Sequence, residues 1–454
     1  MTEKGLSMTE QADAEPAFSP GRRSTSETTA PEQGALTDSD PATGTIDLLD
    51  PQLMRDPARA FSRVRERAPM ARGVMPGVDP MWVATRYEDV RRVLSDPRFV
   101  ADPAHVPGAE PNHRIEQLWR ARGARAEDAK YLRASLFGTD GPEHRRLRRR
   151  VVRAFTAGRV TRLRPRIEQI THVLLDVLPS HTGPDGVVDL IPHLAHPLPV
   201  TVICELVGVP EPERPNWSAW SAVLTDGHTG TALGDALHAL ITSAHALVDH
   251  HRASPGDDLI SALLAAHDDP LAPAETVALI LNLVFAGHAT TVNLIANGIA
   301  ALLTHPGQLA LLRDDPTLAP DTADELMRWC GPTPRALPRY ATEDLRLGQC
   351  AIRKGEAVLP VLAAADRDPR AHPDPERLDI TRARTRPGPP QVGFGHGPHR
   401  CIGDHLALLE AQVAWTALWD RFPDLRLAVT PDELVREAHP NSWKLTTLPA
   451  RLHR

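Results

Sequence analysis

Phe394-Gly395-His396-Gly397-Pro398-His399-Arg400-Cys401-Ile402-Gly403 ends a long irregular segment and leads into a helix. Gly393, Gly395 and Gly397 let the backbone turn tightly and come close to something flat. Cys401 sits where the helix begins, and Leu406, Leu409, Val413, Ala414 and Leu418 form that helix's apolar stripe. A helix N-terminus favours thiolate over thiol, and His399 and Arg400 add donors or positive charge. On these residues alone Cys401 is a nucleophile, a metal ligand or a buried structural thiol. Pro398 stands where a dinucleotide-binding turn needs its third glycine, so that turn is excluded.

Upstream, residues 366–400 are Pro-rich, charged and irregular, and a loop this long inside a compact domain is usually functional or disordered. Before it come short extended pieces at Ala336–Ala341, Leu345–Leu347 and Ala357–Leu362. The middle of the chain reads as helix: His144–Phe155, Pro165–Leu178, Val200–Leu206, Leu233–His251, Asp258–Ala266, Ala274–Leu303 and Asp321–Trp329. Near the start, Pro57–Arg67 and Tyr87–Leu94 have helical periodicity, with a strand at Pro80–Thr85 between them. The last helix runs from after Cys401 to about Phe422. The expected class is mainly α with small β-sheets.

Val277–Leu303 is the most apolar stretch, about 40 Å long as a helix at ~1.5 Å per residue. That length spans a bilayer, but Asn282, His288, Asn293 and Asn297 interrupt it, and such groups are costly in lipid. A helix through the centre of a water-soluble protein is the expectation.

Composition narrows the function classes. The chain has 454 residues with 41% hydrophobic and 24% charged, enough for a large core. Its 51 basic against 58 acidic residues argue against a uniformly basic nucleic-acid binder. Four cysteines without a CxxC pair exclude a disulfide scaffold and disfavour structural zinc; a reducing cytoplasm is the natural compartment. Residues 1–44 hold only Leu6, Phe18 and Leu36 as large aliphatic or Phe residues, and carry eight acidic against three basic side chains. Such a segment is expected to be a disordered tail preceding one folded domain, 45–454. Arg22-Arg23 is not followed by the apolar run of a twin-arginine signal, and no anchor is expected.

Phe394–Gly403 resembles the haem-binding signature of the cytochromes P-450, Phe-Gly-x-Gly-x-His-x-Cys-x-Gly, and matches all six fixed positions. The resemblance implies Cys401 as the proximal iron ligand of haem b, with Phe394, Gly395 and Gly403 in the loop around it. Glu325-Leu326-Met327-Arg328, ending 73 residues before Cys401, matches the family's Glu-x-x-Arg, whose i, i+3 spacing shares a helix face. Arg377, in Pro375-Glu376-Arg377-Leu378, resembles the third member of that network. Ala286-Gly287-His288-Ala289-Thr290-Thr291 resembles the distal oxygen-binding kink. Ala286 and Gly287 are expected to let the helix pass close to the haem, and Thr290 to hydrogen-bond dioxygen or water; the alternative for Thr290 is a bond to its i−4 carbonyl. Ala289 replaces the usual acid and cannot relay a proton. His288 is expected to face away. His144, Arg148, Arg339 and His399 match the family's propionate contacts, which suits charge-assisted bonding.

The resemblance covers about residues 46–450 and implies a single large cytochrome P-450 domain without a fused reductase. It points to a soluble, cytoplasmic bacterial monooxygenase that takes O2 and draws electrons from ferredoxin and ferredoxin reductase. Thiolate ligation favours O–O cleavage. Hydroxylation or epoxidation of a polyketide- or macrolide-like secondary metabolite, as in antibiotic biosynthesis, is the leading expectation. Substrate choice is expected in Pro103–Phe137, Trp217–Leu233 and Pro334–Leu337. Oxidative coupling, dehydrogenation or peroxide-driven oxidation by the same haem is the alternative, and a haem-thiolate sensor without turnover is another. No membrane or nucleic-acid partner is expected. Arg145, Arg149 and Arg153, with Arg146 and Arg150, form a basic helix face that either stays solvated or docks an acidic ferredoxin.

Overall fold

The apolar run becomes one helix, Pro273–Thr304, with Pro273 in its first turn and Glu275 returning a hydrogen bond to Ala272 N–H at 2.8 Å. It is the one described helix long and apolar enough to cross a membrane, yet most of it is buried in protein. Its polar interruptions all have partners. Asn282 Oδ1 accepts from Ser135 Oγ at 3.0 Å and Leu136 N–H at 2.8 Å. Asn293 donates to Ser442 Oγ, and Asn297 donates to the carbonyls of Cys330 and Trp443. Each bond offsets a desolvation cost of about 1–3 kcal/mol for an unpaired buried group. Gly298 admits the indole of Trp415, which a Cβ would meet at 2.1 Å, and Trp415 Nε1 donates to the Ile295 carbonyl.

The computed structural model describes residues 44–453 apart from 110–113, 226–228, 266–268 and 387. Nearly all of the expected tail lies outside the described residues. Around the long helix pack Pro197–Val207, Thr231–Ala253, Ala319–Cys330 and Asp404–Arg421, and the last of these also packs against Ala157–Val177. One hydrophobic cluster joins them, including Leu147, Ile167, Ile203, Leu294, Leu326, Leu406 and Trp415.

A six-stranded sheet carries the other end of the chain's core. Its strands are β1 (Thr45–Asp47), β2 (Met70–Met75), β3 (Val78–Ala84), β4 (Phe99–Val100), β5 (Arg339–Ala341) and β6 (Ala357–Pro360). Their spatial order is β1-β2-β3-β6-β5-β4, with β1/β2 and β3/β6 parallel and the remaining pairs antiparallel. Gly141–Ala154 and Asp404–Arg421 then bring the basic helix and the cysteine helix toward one cavity. The described fold is mainly α with small sheets, as the sequence predicts. One boundary moves by a turn or more: the helix expected from Pro165 begins at Ala157, capped by Thr156, and holds Pro165 inside.

Candidate active site

Backbone bonds and one buried carboxylate shape the cysteine loop. Val392 N–H donates to Asp366 Oδ1 at 2.7 Å, Gly395 N–H to the Val392 carbonyl at 2.7 Å, and Cys401 N–H to the Phe394 carbonyl at 2.9 Å. Tyr87 Oη donates to the Pro390 carbonyl at 2.7 Å. At Gly397, φ is +71° and a Cβ would lie 2.4 Å from the Leu94 carbonyl oxygen, so only glycine fits. Cys401 is exposed by area because it faces the cavity, while protein encloses it on the other sides. Burial pushes its thiol up to about 11, although the Gly403 N–H donates to the sulfur. This reverses the expected lowering. Desolvation outweighs the helix end, and the nearby charges are engaged elsewhere: Arg400 with Asp404, His399 with Asp140. A metal ion bound here would displace the thiol proton.

Four cationic or protonatable groups meet at one end of the same cavity: His144, Arg148, Arg339 and His399. His144 and His399 stack with centroids 4.1 Å apart. Arg148 Nη2 donates to the Arg400 carbonyl at 2.6 Å, and Arg339 Nη1 to the Leu337 and Pro338 carbonyls at 3.2 and 3.3 Å. Burial first, then the charges of His399, Arg148 and Arg339, push His144 down to about 4. Burial also lowers Arg148 and Arg339. Asp140 orients His399 from 3.5 Å while accepting from the Ala101 and Asp102 amides and from His105. Burial would raise the Asp140 pKa, but these bonds hold it well below the carboxylate range. Its single position between distant segments gave no signal in the sequence.

Ala286, Gly287, Thr290 and Thr291 of the long helix line the opposite wall. Thr290 Oγ1 lies 2.8 Å from the Ala286 carbonyl, the back-bonded alternative, which leaves its lone pairs toward the cavity. Gly287 lines the cavity, and a Cβ there would also meet the Ile203 side chain of the neighbouring helix at 2.7 Å. His288 is buried, its ring nitrogen 2.7 Å from the Val284 carbonyl, and it does not line the cavity. The walls are otherwise mostly apolar, with Leu136, Phe137, Ala336 and Leu337 among them, and the cavity measures about 310 Å³. Trp217, in a segment expected to touch substrate, is instead a fully buried core residue donating to Ser243.

Arg328 anchors the loop as predicted in kind. Its Nε and Nη2 bind Glu325 at 2.7 and 2.8 Å, and Nη1 reaches the Asp366 and Pro375 carbonyls. The third arginine is Arg382, not Arg377. Arg382 Nε lies 3.1–3.2 Å from both Glu325 oxygens, and its Nη atoms donate to the carbonyls of Pro373, Asp374 and Arg377. Arg377 is exposed and contributes its carbonyl, because the turn after Asp374 (φ +48°) points its side chain outward.

The sequence profile of the cytochrome P450 family matches residues 227–423. Cytochrome P450 107B1 of Saccharopolyspora erythraea is 43% identical over 396 residues, 86% of this chain and 93% of that protein. The mycinamicin IV hydroxylase/epoxidase of Micromonospora griseorubida is 38% identical over 378 residues, 82% of this chain and 90% of that protein. Among solved structures, the tirandamycin C-bound P450 monooxygenase TamI superposes with a TM-score of 0.79 at 38% identity, covering 89% of this chain and 99% of that one. This chain belongs to the cytochrome P450 family. It is a P450 monooxygenase, an oxidoreductase that uses haem and O2 and requires redox partners.

The cavity of this P450 fits a haem. Cys401, at one wall, would supply the thiolate that ligates its iron. The cluster of His144, Arg148, Arg339 and His399, in which burial and then the three neighbours disfavour charge on His144, calls for an anionic partner such as two propionates. The basic helix is less uniform than its sequence: Arg146 pairs with Glu275, and Arg150 is buried with Asp269 at 3.2 Å. Arg145, Arg149 and Arg153 stay exposed. One further group was missed. Glu410, two turns into the cysteine helix, lines the cavity, is fully buried, and has no hydrogen-bond partner for Oε2. It is the only Asp or Glu among the described lining residues, and burial raises its pKa well above the usual range.

Proposed function

We propose that this P450 hydroxylates or epoxidises a large, mostly apolar secondary metabolite of polyketide or macrolide type, with electrons from a ferredoxin and its reductase. The reading rests on one observation above all: Cys401, the four-residue cationic cluster and Thr290 face a single cavity whose remaining walls are mostly apolar. The names of relatives that act on mycinamicin IV or bind tirandamycin C support the substrate class.

The residues divide the task. Cys401 ligates haem b, which supplies oxygen-activating iron when bound. Phe394, Gly395 and Gly403 surround the sulfur, and Ala286 lies on the distal wall. His144, Arg148, Arg339 and His399 hold the propionates. Glu325, Arg328 and Arg382 keep the loop in place. Leu136, Phe137, Ala336 and Leu337 exclude water and shape the substrate space. Thr290 accepts a hydrogen bond from an ordered water. Ala289 carries no proton, and a substrate hydroxyl or a further ordered water stands in for the missing acid beside Thr290. Arg145, Arg149 and Arg153 dock the acidic ferredoxin, in the cytoplasm, with the domain comprising residues 45–454.

Reconstitution with a ferredoxin pair, O2 and candidate metabolites tests the reading, after a binding screen by haem spin shift. One oxygen atom inserted per turnover is expected. A product that has lost hydrogen or gained a ring bond without oxygen would establish the coupling or dehydrogenation reading, which Ala289 favours. Binding without turnover would establish a sensor. The reduction rate is expected to fall as salt rises; an unchanged rate would remove the docking assignment.

A further inference from the structure

A second cavity, of about 380 Å³, lies along the C-terminal half of the long helix, past the haem cavity. Its wall carries Asn297, Trp329, Arg367, Arg436 and Trp443. Each of the two guanidiniums stacks on an indole: Arg436 Cζ is 4.1 Å from the Trp443 centroid, and Arg367 Cζ 4.6 Å from that of Trp329. Such stacking orients Arg while leaving its edge donors available.

The charges in this wall are incompletely balanced. Arg367 is 4% exposed; Nη1 pairs with Glu376, Nη2 donates to the Trp329 carbonyl, and the buried Nε has no partner. Arg436 Nη1 donates to the neutral Asn297 Oδ1 at 2.8 Å, and no described carboxylate lies within 4.0 Å of it. Burial pushes Arg436 down to about 10. Of the acids in the wall, Glu376 pairs with Arg367, while Asp56 accepts the Arg59 N–H at 3.1 Å as a helix cap and acts on Arg436 and Arg367 only through space, without a hydrogen bond to either. A buried cation without a hydrogen-bonded counter-charge is costly, and an oxyanion is the group that relieves it.

We propose that this cavity binds a small oxyanion, a carboxylate or a phosphate, against the guanidinium of Arg436, beside the indole of Trp443. The site is separate from the haem chemistry and takes a ligand of a class the haem cavity does not: charged, compact and flat or tetrahedral.

Calorimetric titration of the haem-loaded enzyme with inorganic phosphate, and separately with benzoate, tests it at constant ionic strength set with chloride. Saturable one-site binding of at least one probe is expected, weakened at least tenfold in Arg436→Gln and less in Arg436→Lys. The reduced-CO band is expected to be unchanged in both variants. Binding of phosphate alone or benzoate alone identifies which oxyanion the site takes. No saturable heat with either probe in the unaltered enzyme overturns the proposal, as does equal affinity in Arg436→Gln. If Arg436→Gln loses the CO band, Arg436→Met, which also removes the charge, takes its place, and undiminished affinity there overturns the proposal.

Discussion

Replacing Arg382 by Met tests the loop anchor where the structure departs from the motif. Arg382 is 7% exposed and bonds both Glu325 oxygens at 3.1–3.2 Å, together with three carbonyls of the 373–377 turn. Its removal leaves Glu325 with Arg328 and the Asp379 N–H, and takes one donor from each of three carbonyls. Breaking a buried ion pair by removing one partner costs about 3–5 kcal/mol. The Arg377→Ala change removes only an exposed side chain, since its carbonyl remains, and should stay within about 0.5 kcal/mol. Urea unfolding of the haem-loaded protein, followed by the Soret band and by far-ultraviolet circular dichroism, measures both. The expected pattern is a roughly 100-fold or larger shift in the unfolding equilibrium for Arg382→Met, with early loss of the thiolate-dependent CO band as the loop loosens. Equal losses for the two variants, or an Arg382→Met cost under 1 kcal/mol, would refute the assignment.

Other consequences follow from single contacts. Gly397→Ala is expected to destabilise the cysteine loop by more than the ~1–2 kcal/mol of a left-handed non-glycine residue, because the Leu94 carbonyl lies 2.4 Å from the new Cβ; retention of normal haem occupancy would contradict this. Ala289→Glu supplies the acid missing beside Thr290, so product formed per electron consumed should rise severalfold while the CO spectrum stays normal, and unchanged coupling would show that proton delivery does not limit this enzyme. His372 is buried and its pKa is pushed down to about 4, by burial first and then by Arg328 and Arg382. The unfolded chain therefore binds the proton first, and its contribution is present above pH 6.5 and lost as pH falls toward 4. About 2 kcal/mol should disappear between pH 7 and 5, and His372→Asn should flatten that slope in urea titrations; an unchanged slope would exclude His372.

Local chemistry was legible in the chain wherever the relevant residues are neighbours in sequence. The glycines and cysteine of 393–403, the Glu325/Arg328 pair and the apolar run of the long helix depend on spacing along one segment, and spacing is what a sequence displays. The mainly α class was readable on that basis, and the haem-thiolate family and the cationic residues now facing the cavity through the resemblance those local motifs carry. Tertiary structure decided what depends on the path of irregular backbone. The turn at Asp374 put Arg382 on Glu325 where the sequence had pointed to Arg377. Packing chose Ile203 as the neighbour that makes Gly287 necessary, and paired Arg146 and Arg150 inward with Glu275 and Asp269. Burial reversed the expected direction for the Cys401 thiol, because desolvation depends on everything folded around a group and not on its flanking residues. For the same reason Glu410, one acid among 58 acidic residues, became distinctive only when helices remote in sequence enclosed it against the cavity.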